Sequence, residues 1–166
     1  MAHFAQLIPN PNESGELIVD RVIVVDDKDL KRKALWDPFG LFTGKEESEQ
    51  VGISFCKKLL GKKTVWRQCS YDSMDGIGFR GNYPGPGMVY MTNVETLGVA
   101  STDIFIDPQP FPSWSIGINT AQWEPPVPKP EITLEEKGSN STSSFMGYSW
   151  DEDLYNKNHE SGWILK

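Results

Sequence analysis

Two imidazoles could act as bases near neutral pH, His3 and His159, and they stand at opposite ends of the 166-residue chain. A hydrolase needs a nucleophile, a base and an orienting group within hydrogen-bond reach of one another. His3 opens a run read as an edge strand and His159 sits in the turn of the last hairpin, so neither has such company in sequence. There is no Gly-x-Ser-x-Gly elbow and no His-Glu-x-x-His helix. Two carboxylate pairs, Asp103 with Asp107 and Asp151 with Asp153, are of the type that cleaves glycosides if a fold sets their separation. Cys56 and Cys69 have only the two distant histidines to join them, which is not a metal site; they read as buried free thiols rather than a disulfide. Asp26-Asp27-Lys28-Asp29 offers oxygen ligands, but it lacks the glycine and glutamate of a calcium loop and reads as a charged turn. Gly76, Gly78, Gly81, Gly85 and Gly87 have the density of a phosphate-binding loop. No Gly-Lys-Ser/Thr is present, and Pro84 and Pro86 forbid the helix that a dinucleotide fingerprint requires. The residues point away from an enzyme, and no cofactor or metal is expected.

The bulk numbers narrow the partners. Sixteen basic against 23 acidic residues leave a net charge of −7, which argues against a nucleic-acid footprint; Lys31-Arg32-Lys33 reads as a solvated loop. Hydrophobic residues are 38% and aromatics 11%, enough for a small aromatic core with long surface segments. No apolar run approaches the roughly 20 residues of a membrane span. Met1-Ala2-His3-Phe4 lacks the charged-then-apolar form of a signal peptide, so a product made in a cytosol is expected.

The elements follow from local pattern. Residues 3–8 and 16–25 read as two strands about a turn rich in Pro, Asn and Gly. Simple alternation puts Leu17, Val19, Arg21, Ile23 and Val25 on one face, and Ile18, Asp20, Val22 and Val24 on the other. The second half of that strand is apolar enough to be covered on both sides. Residues 30–45 form a loop insertion carrying Trp36, Phe39 and Phe42, which either tuck into the core or meet a partner. A helix is predicted over about 46–60: Thr43 and Glu46 fit a capping box, and Val51, Phe55 and Leu59, with Cys56 and Leu60 adjoining, form an apolar stripe. Lys57 and Lys58 suit its last turn, and Gly61 its stop. Strand-like residues follow from Thr64. Residues 87–92 and 102–106 read as a further strand pair.

From Asp107 to Pro130 the chain holds seven of its twelve prolines and two of its six tryptophans. Trp114 and Trp123 flank a polar centre, and Ser149-Trp150 and Trp163 repeat the arrangement near the end, so the pair reads as duplicated tryptophan hairpins. The fold class expected is α+β and β-rich: a small antiparallel sheet with one packed helix, then a proline-rich extension with tryptophan β-hairpins. The domains expected are a core over 1–106, a proline-rich Trp hairpin over 107–130, a linker over 131–147 and a C-terminal Trp hairpin over 148–166. Pro110, Phe111 and Pro112 on one side, and Pro125 and Pro126 on the other, favour extended polyproline-like backbone that loses little entropy on lying along a neighbour. With Trp114, Trp123, Trp150 and Trp163 they are the candidate partner-binding residues, beside Trp36, Phe39 and Phe42. Flat-lying tryptophans could also stack on sugar rings, whereas the plainer reading makes them hairpin cores.

The segments His3-Phe4-Ala5-Gln6-Leu7, Val22-Ile23-Val24-Val25, Gly52-Ile53-Ser54-Phe55-Cys56-Lys57 and Gly78-Phe79-Arg80-Gly81-Asn82-Tyr83-Pro84-Gly85 carry a family resemblance. Phe111-Pro112-Ser113-Trp114 … Trp123-Glu124-Pro125-Pro126 adds to it. Together they resemble small virion-associated structural proteins of marine tailed phages, notably cyanophages and their relatives. The resemblance covers most of residues 2–130 and the Trp-Asp-Glu at 150; the loop 28–45 and the linker 131–147 look expanded. It implies a virion protein made in the host cytoplasm whose partners are other phage structural proteins. The major capsid protein comes first and tail or fibre proteins second, with homo-oligomers possible and with no nucleic acid or membrane. The first expectation is a capsid-surface decoration protein. The alternative is a tail- or fibre-associated accessory protein whose tryptophans touch host polysaccharide, and a third class is an intracellular assembly factor.

Overall fold

A turn closed by Asn10 N–H on the Glu16 carbonyl (2.9 Å) lets β1 (Ala2–Pro9) and β2 (Leu17–Val25) pair antiparallel. The computed structural model describes residues 1–26, 49–74, 78–94, 103–132 and 147–166. The expected capping box at Thr43 and Glu46, the 28–45 loop and most of the 131–147 linker lie outside these residues. The described chain falls into two compact units, 1–108 with 116–122, and 109–115 with 123–166.

Unit 1 is built on a five-stranded sheet in the order β3-β1-β2-β4-β5, every neighbour antiparallel, so β1 is paired on both sides and is not the edge strand expected. The later strands are β3 (Val65–Cys69), β4 (Val89–Thr92) and β5 (Asp103–Ile106). The register of β1 on β2 slips between Gln6 and Leu7: Gln6 faces Arg21, but Leu7 faces Val19. One residue, Asp20, is thereby left over, and a single extra residue flips every later side chain to the other face. Val25 and Ile23 consequently pack with Ala2, Phe4 and Trp66, whereas Leu17, Val19 and Val22 pack with Ala5, Leu7, Cys69, Tyr90 and Phe105. Simple alternation along β2 is thus corrected. Cover on its second half is uneven: Val25 is buried, but Val24 is 54% exposed.

Helix α1 (Glu49–Leu60) covers the Phe4–Trp66 face. Its buried residues are Gly52, Ile53 and Cys56; of the expected stripe Phe55 packs against that core and the adjoining Cys56 lies within it, but Leu59 and Leu60 are 64% and 41% exposed. The reason is Gly52. A Cβ there would come within 1.9 Å of the Phe4 ring, so the helix backbone lies flush on that ring and its inward face is rotated onto positions 49, 52, 53 and 56.

In unit 2, β8 (Tyr148–Trp150) pairs with β9 (Trp163–Leu165), Trp150 opposite Trp163. What joins them is helix α2 (Glu152–Asn158), not a polar turn. Asp151 caps it by accepting Leu154 N–H at 2.8 Å, and His159 ends it with φ 56° and its N–H on the Tyr155 carbonyl at 2.7 Å. A third, minimal sheet pairs β6 (Ser115–Ile116) with β7 (Trp123–Glu124).

The expected fold class is overturned. The described residues form two helices and three small open sheets, and they show neither a proline-rich extension nor tryptophan hairpins. The stretch 107–130 is not one element, because 116–122 belongs to unit 1 while its flanks belong to unit 2. Asn82, buried, donates to the carbonyls of Phe105 (2.7 Å) and Ala121 (3.1 Å) and accepts from Gln122 Nε2 (2.7 Å), which fastens that loop within unit 1. The first proline-rich arm is folded on itself: Trp114 N–H reaches the Phe111 carbonyl (3.1 Å), and Gln109 Nε2 reaches the Trp114 carbonyl (2.9 Å).

Candidate partner-binding surface

The charged groups of unit 1 converge on Arg80, held at φ 58° between Gly78 (φ 99°) and Gly81 (φ 73°). That glycine-rich turn points the guanidinium inward. Nε donates to Asp103 Oδ2 (2.6 Å), and Nη1 donates to Glu49 Oε1 and to the Gln68 carbonyl (both 2.7 Å). Nη2 donates to Glu49 Oε2 (3.2 Å). Glu49 Oε1 also accepts Gln68 N–H (2.9 Å), so both outward backbone groups of Gln68 on the edge strand β3 are covered by this ion pair. The Tyr90 hydroxyl donates to Asp103 and accepts from Arg67 Nε (2.9 Å).

Burial alone would raise both carboxyls. The hydrogen bonds and charge of Arg80 outweigh it at Glu49, and Tyr90 with Arg80 outweighs it at Asp103, so both sit below the ordinary range. Burial, reinforced by Asp103, pushes the Tyr90 phenol above its ordinary value. Every acid in the cluster is therefore held in one protonation state around neutral pH. The arrangement braces helix, sheet edge and turn.

Several other chemistry-bearing residues have local structural roles, whereas Asp107 and Asp153 are exposed. His3 lies against Tyr71 (6.1 Å, 29°) and edge-on to Tyr83 (5.5 Å, 88°). Asp151 caps α2 and His159 closes it. Cys56 and Cys69 are free and belong to the cores on opposite faces of the sheet, with burial pushing their thiols up to about 11 and about 12. Among the described residues no group of three or more His, Cys, Asp or Glu could hold a metal ion, and no helix is long and apolar enough to cross a membrane.

Unit 2 gathers the aromatic candidates. Trp150, buried, is packed by Trp163 (5.2 Å, 79°), Trp114 (6.1 Å, 80°) and Tyr155 (5.2 Å, 42°). Phe111 leans on Trp114 at 5.5 Å. Glu152 ties the cluster: its carboxylate accepts Ser113 N–H (3.0 Å), Ser113 Oγ–H (2.7 Å) and Trp150 Nε1–H (2.9 Å), which hold its carboxyl low against burial. Trp163 Nε1 donates to the Val127 carbonyl (2.9 Å), and Lys129 Nζ stands 5.7 Å from the Trp163 ring centre. Trp114 Nε1 and Ser149 Oγ are buried with no hydrogen-bond partner among the described residues.

Of the candidate partner-binding residues, Phe111, Trp114, Trp150 and Trp163 form one cluster. Pro110, Pro112 and Pro126 are exposed, Trp123 and Pro125 half-buried, and Trp36, Phe39 and Phe42 lie outside the described residues. Trp114, Trp150 and Trp163 meet at 56–80°, so these three rings make an edge-to-face core rather than the flat platform a sugar would stack on. Sequence reasoning missed Arg80, Asn82, Glu49 and Glu152. The signal for the first two was present: an arginine and an asparagine set among the glycines of Gly78-Phe79-Arg80-Gly81-Asn82, a turn that holds Arg80 at positive φ.

No protein-family model, no curated protein and no solved structure matches the chain.

Proposed function

We propose that the chain is a structural protein of a tailed-bacteriophage virion, working through contacts with neighbouring subunits rather than through catalysis. Its most specific form is a decoration protein on the capsid surface, bound to the major capsid protein. The setting rests on the resemblance of the motifs given above. The observation that carries the non-catalytic part is that one carboxylate of each candidate pair serves an internal brace. Asp103 is gripped by Arg80 and Tyr90, and Asp151 caps α2, a helix that His159 ends through its backbone N–H. The family-like turn Gly78–Gly85 contributes Arg80 and Asn82 to the same bracing. Exposed apolar side chains such as Tyr71 (70%) and Met74 (66%) are available for contact instead.

The deciding experiment counts copies of the chain against the major capsid protein by quantitative mass spectrometry of purified virions. Hundreds of copies per particle are expected. A handful would move the protein to the tail or a fibre, and its absence from mature particles would overturn the virion reading.

A further inference from the structure

Both outer strands of the five-stranded sheet have outward backbone groups covered by side chains or by the glycine-rich turn. On β3, Gln68 N–H donates to Glu49 Oε1, the Gln68 carbonyl accepts Arg80 Nη1, and the Trp66 carbonyl accepts Arg67 Nη1 (3.0 Å). On β5, Phe105 N–H donates to the Arg80 carbonyl (3.2 Å), and the Phe105 carbonyl accepts Asn82 Nδ2 (2.7 Å). Cover of this kind keeps an edge from pairing with another chain.

The far half of β2 is a further edge, and it has no such cover. β4 pairs with β2 only at Leu17 and Ile18. Val19 then bonds to the Met88 carbonyl and the Gly87 N–H (both 2.8 Å), and the chain turns away at Gly87, φ 89°. Past Val19, nothing among the described residues bonds to the outer side of β2. Which groups point outward follows from the alternation of an antiparallel ladder. Gln68 points its backbone groups away from β1, so Phe4 opposite it bonds to β2 instead, at Ile23. Val22 and Val24, on either side of Ile23, therefore turn N–H and C=O outward. Val24 is 54% exposed, and Val22-Ile23-Val24-Val25 contains neither a charge nor a proline to guard the edge.

We propose that this edge is a self-association site, at which β2 of a second copy of the chain pairs antiparallel about a two-fold axis at Ile23. The hydrogen-bonding pattern selects the occupant. The edge needs an extended strand that offers the same donors and acceptors in reverse order, and the identical edge of a second copy offers them. Val22 of each copy then exchanges both bonds with Val24 of the other, and the exposed Val24 side chain gains a β-branched neighbour. A helix or a nucleic acid has no such row of backbone groups. The contact is short, so the dimer is weak. Two copies of net charge −7 repel each other, and salt screens that repulsion. Asp20, at the near end of the edge, is already paired with Arg21 (2.7 Å). The site is read from unit 1 alone and holds whether or not the chain is a virion protein.

The test is sedimentation velocity of the full chain from about 1 μM to about 0.3 mM, at low and at physiological salt. A monomer–dimer equilibrium is expected, stronger at the higher salt. Hydrogen exchange followed by NMR should show the Val22 and Val24 amides slowing as concentration rises, while the Ile23 amide, bonded to β1, keeps its rate. Val24→Pro deletes an outward N–H that the β1–β2 ladder does not use, and it should weaken dimerisation about tenfold or more. Val24→Lys sets a charge on the exposed edge and should act likewise if the proline variant does not fold. A monomer at every concentration overturns the proposal. So does a dimer that either folded variant leaves intact, or one that leaves the Val22 and Val24 amides unprotected. Growth beyond the dimer overturns it too, because the pairing uses up the edge.

Discussion

Arg80 grips both oxygens of Glu49, Nη1 on Oε1 at 2.7 Å and Nη2 on Oε2 at 3.2 Å, although the two residues are 31 positions apart. The glycine-rich turn is thereby bolted to the first residue of α1. Arg80→Met leaves Glu49 and Asp103 half-buried without their counter-charge, and urea denaturation is expected to register a loss of about 3 kcal/mol. A loss well under about 1 kcal/mol, the ordinary value of a surface pair, would show that the brace adds nothing.

The same cluster sets the pH dependence. Glu49 and Asp103 have folded pKa values below the ordinary 4.5 and 3.8, so their contribution is complete above those values and is lost as pH falls through the folded ones. Tyr90 is raised above the ordinary 10.0, so its contribution is complete below pH 10 and is lost as pH rises further. Stability should therefore be flat near neutrality and fall at both ends. Glu49→Gln should lower the plateau and flatten the acid limb, and an unchanged acid limb would assign the effect to other carboxyls.

Gly52→Ala sets two effects against each other. Alanine favours an α-helix over glycine by about 1 kcal/mol. The new methyl, however, would sit 1.9 Å from Phe4 Cζ, a side chain only 1% exposed, and overpacking of a core costs about 1–3 kcal/mol. A lower melting temperature is expected; a higher one would mean that the Phe4 ring moves aside freely.

Glu152 joins the 109–115 loop to α2 through Ser113. With Glu152→Ala the Ser113 amide loses its acceptor, and its hydrogen exchange should quicken about fivefold. Amides in β1 should keep their rates, and a uniform acceleration would indicate global destabilisation instead.

Cys56 and Cys69 lie in different cores, with thiols pushed up to about 11 and about 12. A disulfide-exchange reagent near neutral pH should label neither in the native protein and both in urea. Rapid native labelling of either would contradict its burial.

Local features were legible where neighbours in sequence are also neighbours in space. α1 runs over Glu49–Leu60 within the predicted span, with its lysines in the last turn and Gly61 at its stop, and β4 and β5 pair near the predicted positions. The second helix was also written locally, in the Asp151 cap, the acidic Glu152 and Asp153 and the late Lys157, but the echo of two tryptophans pointed to a hairpin. The clustering of Phe111 with Trp114, Trp150 and Trp163 matches residues singled out by type, although their mutual angles do not follow from type.

By itself, then, the sequence determined the charge balance, the strand and helix propensities, and which aromatics were available to pack. Tertiary structure decided the rest, because it depends on contacts that no short window contains. A one-residue slip at Gln6/Leu7 reassigned the faces of β2. The fit of Gly52 on Phe4 rotated α1 and left Leu59 outside. The reach of Asn82 to Ala121 drew the centre of the proline-rich stretch into unit 1. Arg80 acquired its role only when Glu49, Gln68 and Asp103, distant in sequence, were brought within hydrogen-bond length of one guanidinium.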